Sequence, residues 1–132
     1  MAHQYSVTVN NARLDSIETA VGTSPILRLL TGAAPANCAA ATTGGTVCNV
    51  TLPSDWMAGA GSGVKAKTGT WSGTATASGT VGYYRIFDSG GGTCHVQGAV
   101  GVGSGELQLD NNIVNANQVI TINTYQITAG NA

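Results

Sequence analysis

Chemistry-bearing residues are sparse in this chain, and the first that could act together lie in Phe87-Asp88-Ser89-Gly90-Gly91. That run spells the Asp-Ser-Gly-Gly of a serine nucleophile and also the apolar-Asp-Ser-Gly of a protease that uses paired aspartates. A nucleophilic serine needs a histidine base held by a carboxylate, and upstream of Ser89 the only histidine is His3. Paired aspartates sharing one proton would require a homodimer, and the 44 residues after Asp88 are too few to build the rest of such a fold. The same residues are what a tight turn uses, because Asp and Ser bond the local backbone and Gly accepts positive φ. The segment therefore reads as a turn.

Ser62-Gly63-Val64-Lys65 and Lys67-Thr68-Gly69 spell two β-lactamase-type motifs, but within eight residues, whereas those enzymes draw them from distant segments. Gly59–Gly63 and Gly101–Gly105 are glycine-rich yet lack the lysine and helix opening that cradle a phosphate. Cys94 and His95 are consecutive on a predicted strand, so they face opposite sides, and no further ligands complete a zinc site. Asp and Glu occur singly. Asn49-Val50-Thr51 is a glycosylation acceptor that has no meaning without a secretory leader, and the first residues show none. Of three cysteines, Cys38 and Cys48 could close a ten-residue step, although a protein made in the cytosol more often keeps its thiols reduced. No catalytic, cofactor-binding or metal-ligating residue is assigned, and the chain reads as a non-enzyme.

The elements that would position these residues are mostly short strands. Asn10 and Asn11 can cap a helix presenting Leu14, Ile17 and Val21, which ends at Gly22. Ile26–Thr31 and Thr46–Leu52 read as strands on either side of a long Ala/Thr/Gly loop. Pro53–Met57 suggests one helical turn anchored by Trp56, and alternation resumes over Val64–Trp71. Thr80–Phe87 and Cys94–Val102 form a hairpin around the Asp88–Gly92 turn. Glu106–Asp110 is a short strand, and Val119–Thr128 a long final one. The expected class is mainly β: a β-sandwich or jelly-roll-like single domain over residues 11–132, with a short N-terminal helix and an extended arm at residues 1–10.

Composition narrows the function further. Only 8% of the 132 residues are charged and the net charge is −1, against about 25% charged in ordinary soluble domains. With five Lys/Arg against six Asp/Glu there is no basic field for nucleic acid. No apolar run approaches the roughly 20 residues of a membrane helix. Gly, Ala and Thr make up 54 residues, and Leu, Ile, Val and Phe only 27, so the core must be thin. So few charges protect poorly against self-association, which favours a surface covered by partners. Tyr83 and Tyr84 are adjacent, so one should face the core and the other outward. Outward aromatics and exposed β-branched residues are the natural contact points, and Tyr5, Val7, Val9, Trp56, Tyr84 and Tyr125 are the candidates.

Several segments resemble virion structural proteins of tailed bacteriophages. They are Asn11–Thr19 leading to Leu29–Pro35, Leu52–Ala58, Tyr84–Ser89, and the ending from Gln118–Ile122 through Ala129–Ala132. The likeness spans most of the chain and is strongest to the small capsid decoration, or cement, proteins. It implies a β-sandwich-like protein on the outside of an icosahedral shell, assembled in the host bacterial cytoplasm. Its partners would be the major capsid protein and its own copies, as a homodimer or homotrimer, with no cofactor. A tail or head-fibre component is the alternative, and a host module with a sugar- or peptide-binding face is a more distant one.

Overall fold

In the computed structural model, residues 4–102, 107–109, 111–122 and 124–128 are described. They form one helix and ten strands: α1 (Val7–Val21), β1 (Ile26–Thr31), β2 (Thr46–Thr51), β3 (Val64–Ala66), β4 (Trp71–Thr74), β5 (Gly79–Phe87), β6 (Cys94–Gly101), β7 (Leu107–Gln108), β8 (Ile113–Val114), β9 (Val119–Ile122) and β10 (Thr124–Thr128). The expected mainly-β single domain with a short N-terminal helix is what forms. One sheet runs β2-β1-β5-β6-β7-β10-β3, with β8 beside β5, and a small second sheet pairs β4 with β9. The pairings are antiparallel except β6 with β7.

The helix starts earlier than its sequence suggests. Ser6 is the cap, its hydroxyl accepting from the Val9 N–H at 3.2 Å, so residues 7–10 are helical and not part of an extended arm. Residues 1–3 lie outside the described residues. Asn10 and Asn11 cap nothing because tertiary structure uses them: Asn10 is buried, and Asn11 Oδ1 accepts from the Gly63 N–H at 3.0 Å. Gly22, at φ 91°, ends the helix as expected and donates its N–H to Glu18 O at 2.9 Å.

Three other expectations are corrected. Pro53–Met57 makes a bend, not a helical turn; the Trp56 indole inserts into the core and donates to Gly22 O at 3.0 Å. The Val64–Trp71 strand breaks after Ala66, where Gly69 takes φ 73°. The final strand divides, so β9 pairs with β4 while β10 returns to the large sheet. That division lets one segment bridge both sheets and close the core between them.

The core is a chain of aromatics. Trp56 and Trp71 lie 6.0 Å apart, Trp71 and Tyr125 5.4 Å, and Tyr125 meets Tyr84 edge-on at 5.5 Å, their hydroxyls 2.8 Å apart. Leu27, Leu29, Val50, Ile86, Val114 and Ile122 surround them. With few large aliphatic residues, four rings supply area and directional contacts that a Leu/Ile core would otherwise provide.

The opposite face of the large sheet is also covered. Tyr83, Arg85 and Phe87 alternate on it and are buried outside the aromatic core. The cover is the 32–45 loop. Tyr83 hydrogen-bonds through its hydroxyl to both the carbonyl and the N–H of Thr43. Arg85 donates to Asn37 O and Ala40 O, each at 3.0 Å, and to Thr42 Oγ1 at 3.1 Å. The adjacent tyrosines do face opposite sides, but both are buried, contrary to expectation, because a loop stands where solvent was expected.

Candidate interaction surface

The six residues proposed as contact points divide into two groups. Trp56, Tyr84 and Tyr125 are each 2% exposed or less and belong to the aromatic core. They cannot reach a partner, and their assignment is corrected. Their polar ends find partners inside the fold, which is why amphipathic rings sit so deep. Tyr5, Val7 and Val9 remain on the surface, 40%, 51% and 42% exposed.

Their exposure follows from how α1 docks. Asn10, Leu14 and Val21 form its buried stripe, with Ile17 packed beside them. Val7 continues that stripe by one more turn, yet is half exposed, so the first turn of α1 projects past what covers the rest. Tyr5 precedes it, and the Arg13 guanidinium lies 4.7 Å from its ring centroid. Tyr5, Val9 and Arg13 succeed one another at helical spacing, making a small apolar strip with its one charge laid across an aromatic face.

The helix is anchored by a buried ammonium. Lys65 of β3 is 1% exposed, and its three donors reach Asp15 Oδ1 at 2.7 Å, Glu18 Oε1 at 2.8 Å and Ala58 O at 2.9 Å. Burial draws the Lys65 pKa down, but hydrogen bonds and charge from Asp15 and Glu18 outweigh it and leave it raised. The Lys65 hydrogen bond, helped by the Ala60 N–H, holds the Asp15 carboxyl below its ordinary range.

Every Lys and Arg of the chain has a partner within the fold, whether a carboxylate, a neutral oxygen or an aromatic ring. Arg28 lies over the Phe87 ring at 4.4 Å and bonds Asn49. Lys67 lies 5.7 Å from the Trp71 centroid and donates to Gly69 O. With Arg13, Lys65 and Arg85 that accounts for all five. What faces outward among the described residues is mostly neutral hydroxyl, amide and methyl, with exposed Arg13, Asp15 and Asp55 the few charges and Val102, Ile113 and Val119 exposed apolar side chains.

The motif residues take structural places. Asp88 accepts the Gly91 N–H at its carbonyl (2.9 Å) and the Gly92 N–H at Oδ1 (3.0 Å), so it builds the β5–β6 turn. Ser62 and Gly63, at φ 53° and 76°, form the two-residue turn before β3, closed by paired bonds between Gly61 and Val64. Lys65 and Lys67 are the ion-paired and ring-stacked cations already described. His95 is exposed, and no group of three metal-ligating side chains occurs among the described residues.

One apolar cleft of about 420 Å³ opens between α1 and the sheet, lined by Ile17, Tyr84, Val96, Tyr125 and Ile127. Its polar lining includes Gln97, whose amide already bonds Arg85 and Pro35 O. Among the described residues no helix is long and apolar enough to cross a membrane. Comparison with known proteins returned no match: no family model, curated protein or solved structure is significantly similar to this chain.

Proposed function

We propose that this chain is a non-catalytic virion protein that decorates the outside of an icosahedral phage shell by binding its major capsid protein. The observation that carries this reading is the projecting first turn of α1, with Tyr5, Val7 and Val9 exposed on an otherwise charge-poor surface. Such a turn suits a protein groove, since apolar burial contributes roughly 25 cal/mol per Å² and the one charge beside it, Arg13, already lies against the Tyr5 ring. The engagement of all five cations within the fold supports a protein partner over a polyanion. The likeness of the Asn11–Thr19, Leu52–Ala58 and Tyr84–Ser89 segments to decoration proteins points to the shell as that partner.

The test is co-sedimentation with undecorated shells of the same phage, read as copies bound per capsid subunit. Saturation at a simple ratio, with shells more resistant to heat, supports decoration. Val7→Asp and Val9→Asp together should weaken binding at least tenfold while leaving the melting temperature within a few degrees, because both side chains are already half exposed. Shells that bind nothing would overturn the reading and favour a tail or fibre role. Undiminished binding by the double variant would place the contact elsewhere on the chain.

A further inference from the structure

Cys38 belongs to the 32–45 loop and Cys94 opens β6, 56 positions further along the chain, yet the fold brings both to one covered face, near enough for Cys38 to act on the Cys94 thiol. Two features of the fold bring them together. The first is the Arg85 clamp, whose bonds to Asn37 O and Ala40 O grip the loop on both sides of Cys38. Gln97, opposite Arg85 in the β5–β6 register, adds a bond to Pro35 O at 2.8 Å. The second is a β-bulge. Ile86 pairs with Val96 but Phe87 pairs with Cys94, so His95 is the extra residue. Without the bulge, Cys94 would lie on the face away from Gln97's neighbour Arg85. With it, Cys94 stands opposite Phe87, on the face that the loop covers.

Cys38, Cys48 and Cys94 are all unbonded; Cys48 is fully buried, whereas Cys38 and Cys94 are partly exposed. We propose that Cys38 and Cys94 are an oxidisable dithiol that closes into a disulfide and fastens the 32–45 loop to β6. Cys94 is the poorer nucleophile: burial first, then the neighbouring Cys38, push its thiol up to about 12. Attack therefore begins at Cys38. With glutathione disulfide as oxidant, the Cys38 thiolate attacks one of its sulfurs and releases one glutathione thiolate, leaving a mixed disulfide. Cys94 gives its proton to that thiolate, attacks Cys38 Sγ and expels the second glutathione. Two protein thiols are oxidised to one disulfide, and one glutathione disulfide is reduced to two glutathione thiols. The sulfurs must close to about 2.05 Å, a movement open to a loop that is exposed over most of its length.

The full chain, incubated with glutathione disulfide and then alkylated, should show a Cys38–Cys94 linkage on peptide mapping, with Cys48 alkylated only after unfolding. Closing so long a loop should raise the melting temperature on the order of 10 °C, reversed by dithiothreitol. Cys94→Ser should accumulate glutathione on Cys38, and Cys38→Ser should neither cross-link nor take up glutathione at the same rate. Glutathione adducts on the unaltered chain without the linkage would overturn the proposal. So would a linkage through Cys48, one between two chains, or no reaction at all in a protein whose melting temperature shows it folded.

Discussion

Replacing Arg85 with methionine tests whether the 32–45 loop is held by one side chain. The guanidinium is 2% exposed and makes four hydrogen bonds of 3.0–3.1 Å, three to the loop and one to Gln97 Oε1. Each bond to a charged group is worth about 1.5–3 kcal/mol, so the three loop bonds sum to roughly 6 kcal/mol. Against this stands the desolvation of a buried cation with no carboxylate partner among the described residues, several kcal/mol. Methionine preserves the apolar stem, and the freed loop acceptors can bind water. The net loss should be about 2 kcal/mol, or about 7 °C in melting temperature for a chain of this size. Local effects should be larger. Amide exchange at Ala40, and at Thr43 to a lesser degree, should quicken 10- to 100-fold while β1, β5 and β6 keep their protection. Thr43 should lag because its bonds to Tyr83 survive. Arg85→Lys should resemble methionine, since an ammonium cannot span four diverging acceptors. Unchanged exchange in the loop would refute the clamp. Complete unfolding would show instead that the loop is integral to the sheet.

Acid should loosen α1. The Asp15 carboxyl is held below its ordinary value by Lys65 and the Ala60 N–H, so its contribution is present above about pH 4 and lost as pH falls through the lowered value. Melting temperatures from pH 7 to pH 2 should fall more steeply for the unaltered chain than for Asp15→Asn. Lys65, raised by its partners, contributes below about pH 10.4 and loses this only as pH climbs through the raised value. Lys65→Met should be milder than Glu18→Gln combined with Asp15→Asn, which strands a buried ammonium; the order of the two melting temperatures decides. Gly82→Ala should cost about 3 kcal/mol, because its Cβ would stand 2.0 Å from Gly32 O and backbone must move. Chemical denaturation measures it. Tyr84→Phe removes a buried hydroxyl contact with Tyr125 and should cost about 1 kcal/mol in the same assay.

What the sequence made legible was what depends on neighbours in the chain. Ile26–Thr31, the Thr80–Phe87 hairpin and the Gly22 stop are local patterns, and they form as read. The Asp88 turn needed only Asp, Ser and Gly in order. Errors arose where distant residues changed the meaning of a local signal. Ser6 was a sound cap, but Val7-Thr8-Val9 is β-prone, and only docking through Asn10 and Asn11 makes helix the better choice there. Alternation rightly put Tyr83 and Tyr84 on opposite faces, but one face was read as solvent, because nothing local says that a loop 40 residues earlier will return to cover it. Cys38 and Cys94 meet for the same reason, and the bulge that turns Cys94 toward the loop has no sequence mark beyond His95 itself.

The two buried cations connect these failures to the surface. A chain with five Lys/Arg can place two of them inside only if other groups replace water around each, and here carboxylates serve Lys65 while carbonyls and side-chain oxygens serve Arg85. Each cation then acts as a fastener, one holding the helix to β3 and the other holding the loop to β5. A chain with only 27 Leu, Ile, Val and Phe, several of them exposed, cannot hold such peripheral elements by apolar area alone. Drawing the cations inward for that purpose also removes them from the exterior. The scarcity of cations on the surface and the fastened loop and helix are thus two results of one arrangement. A partner that recognises this protein must do so mainly through shape, neutral hydrogen bonds and the few apolar side chains left outside, of which Tyr5, Val7 and Val9 lie together at the start of α1.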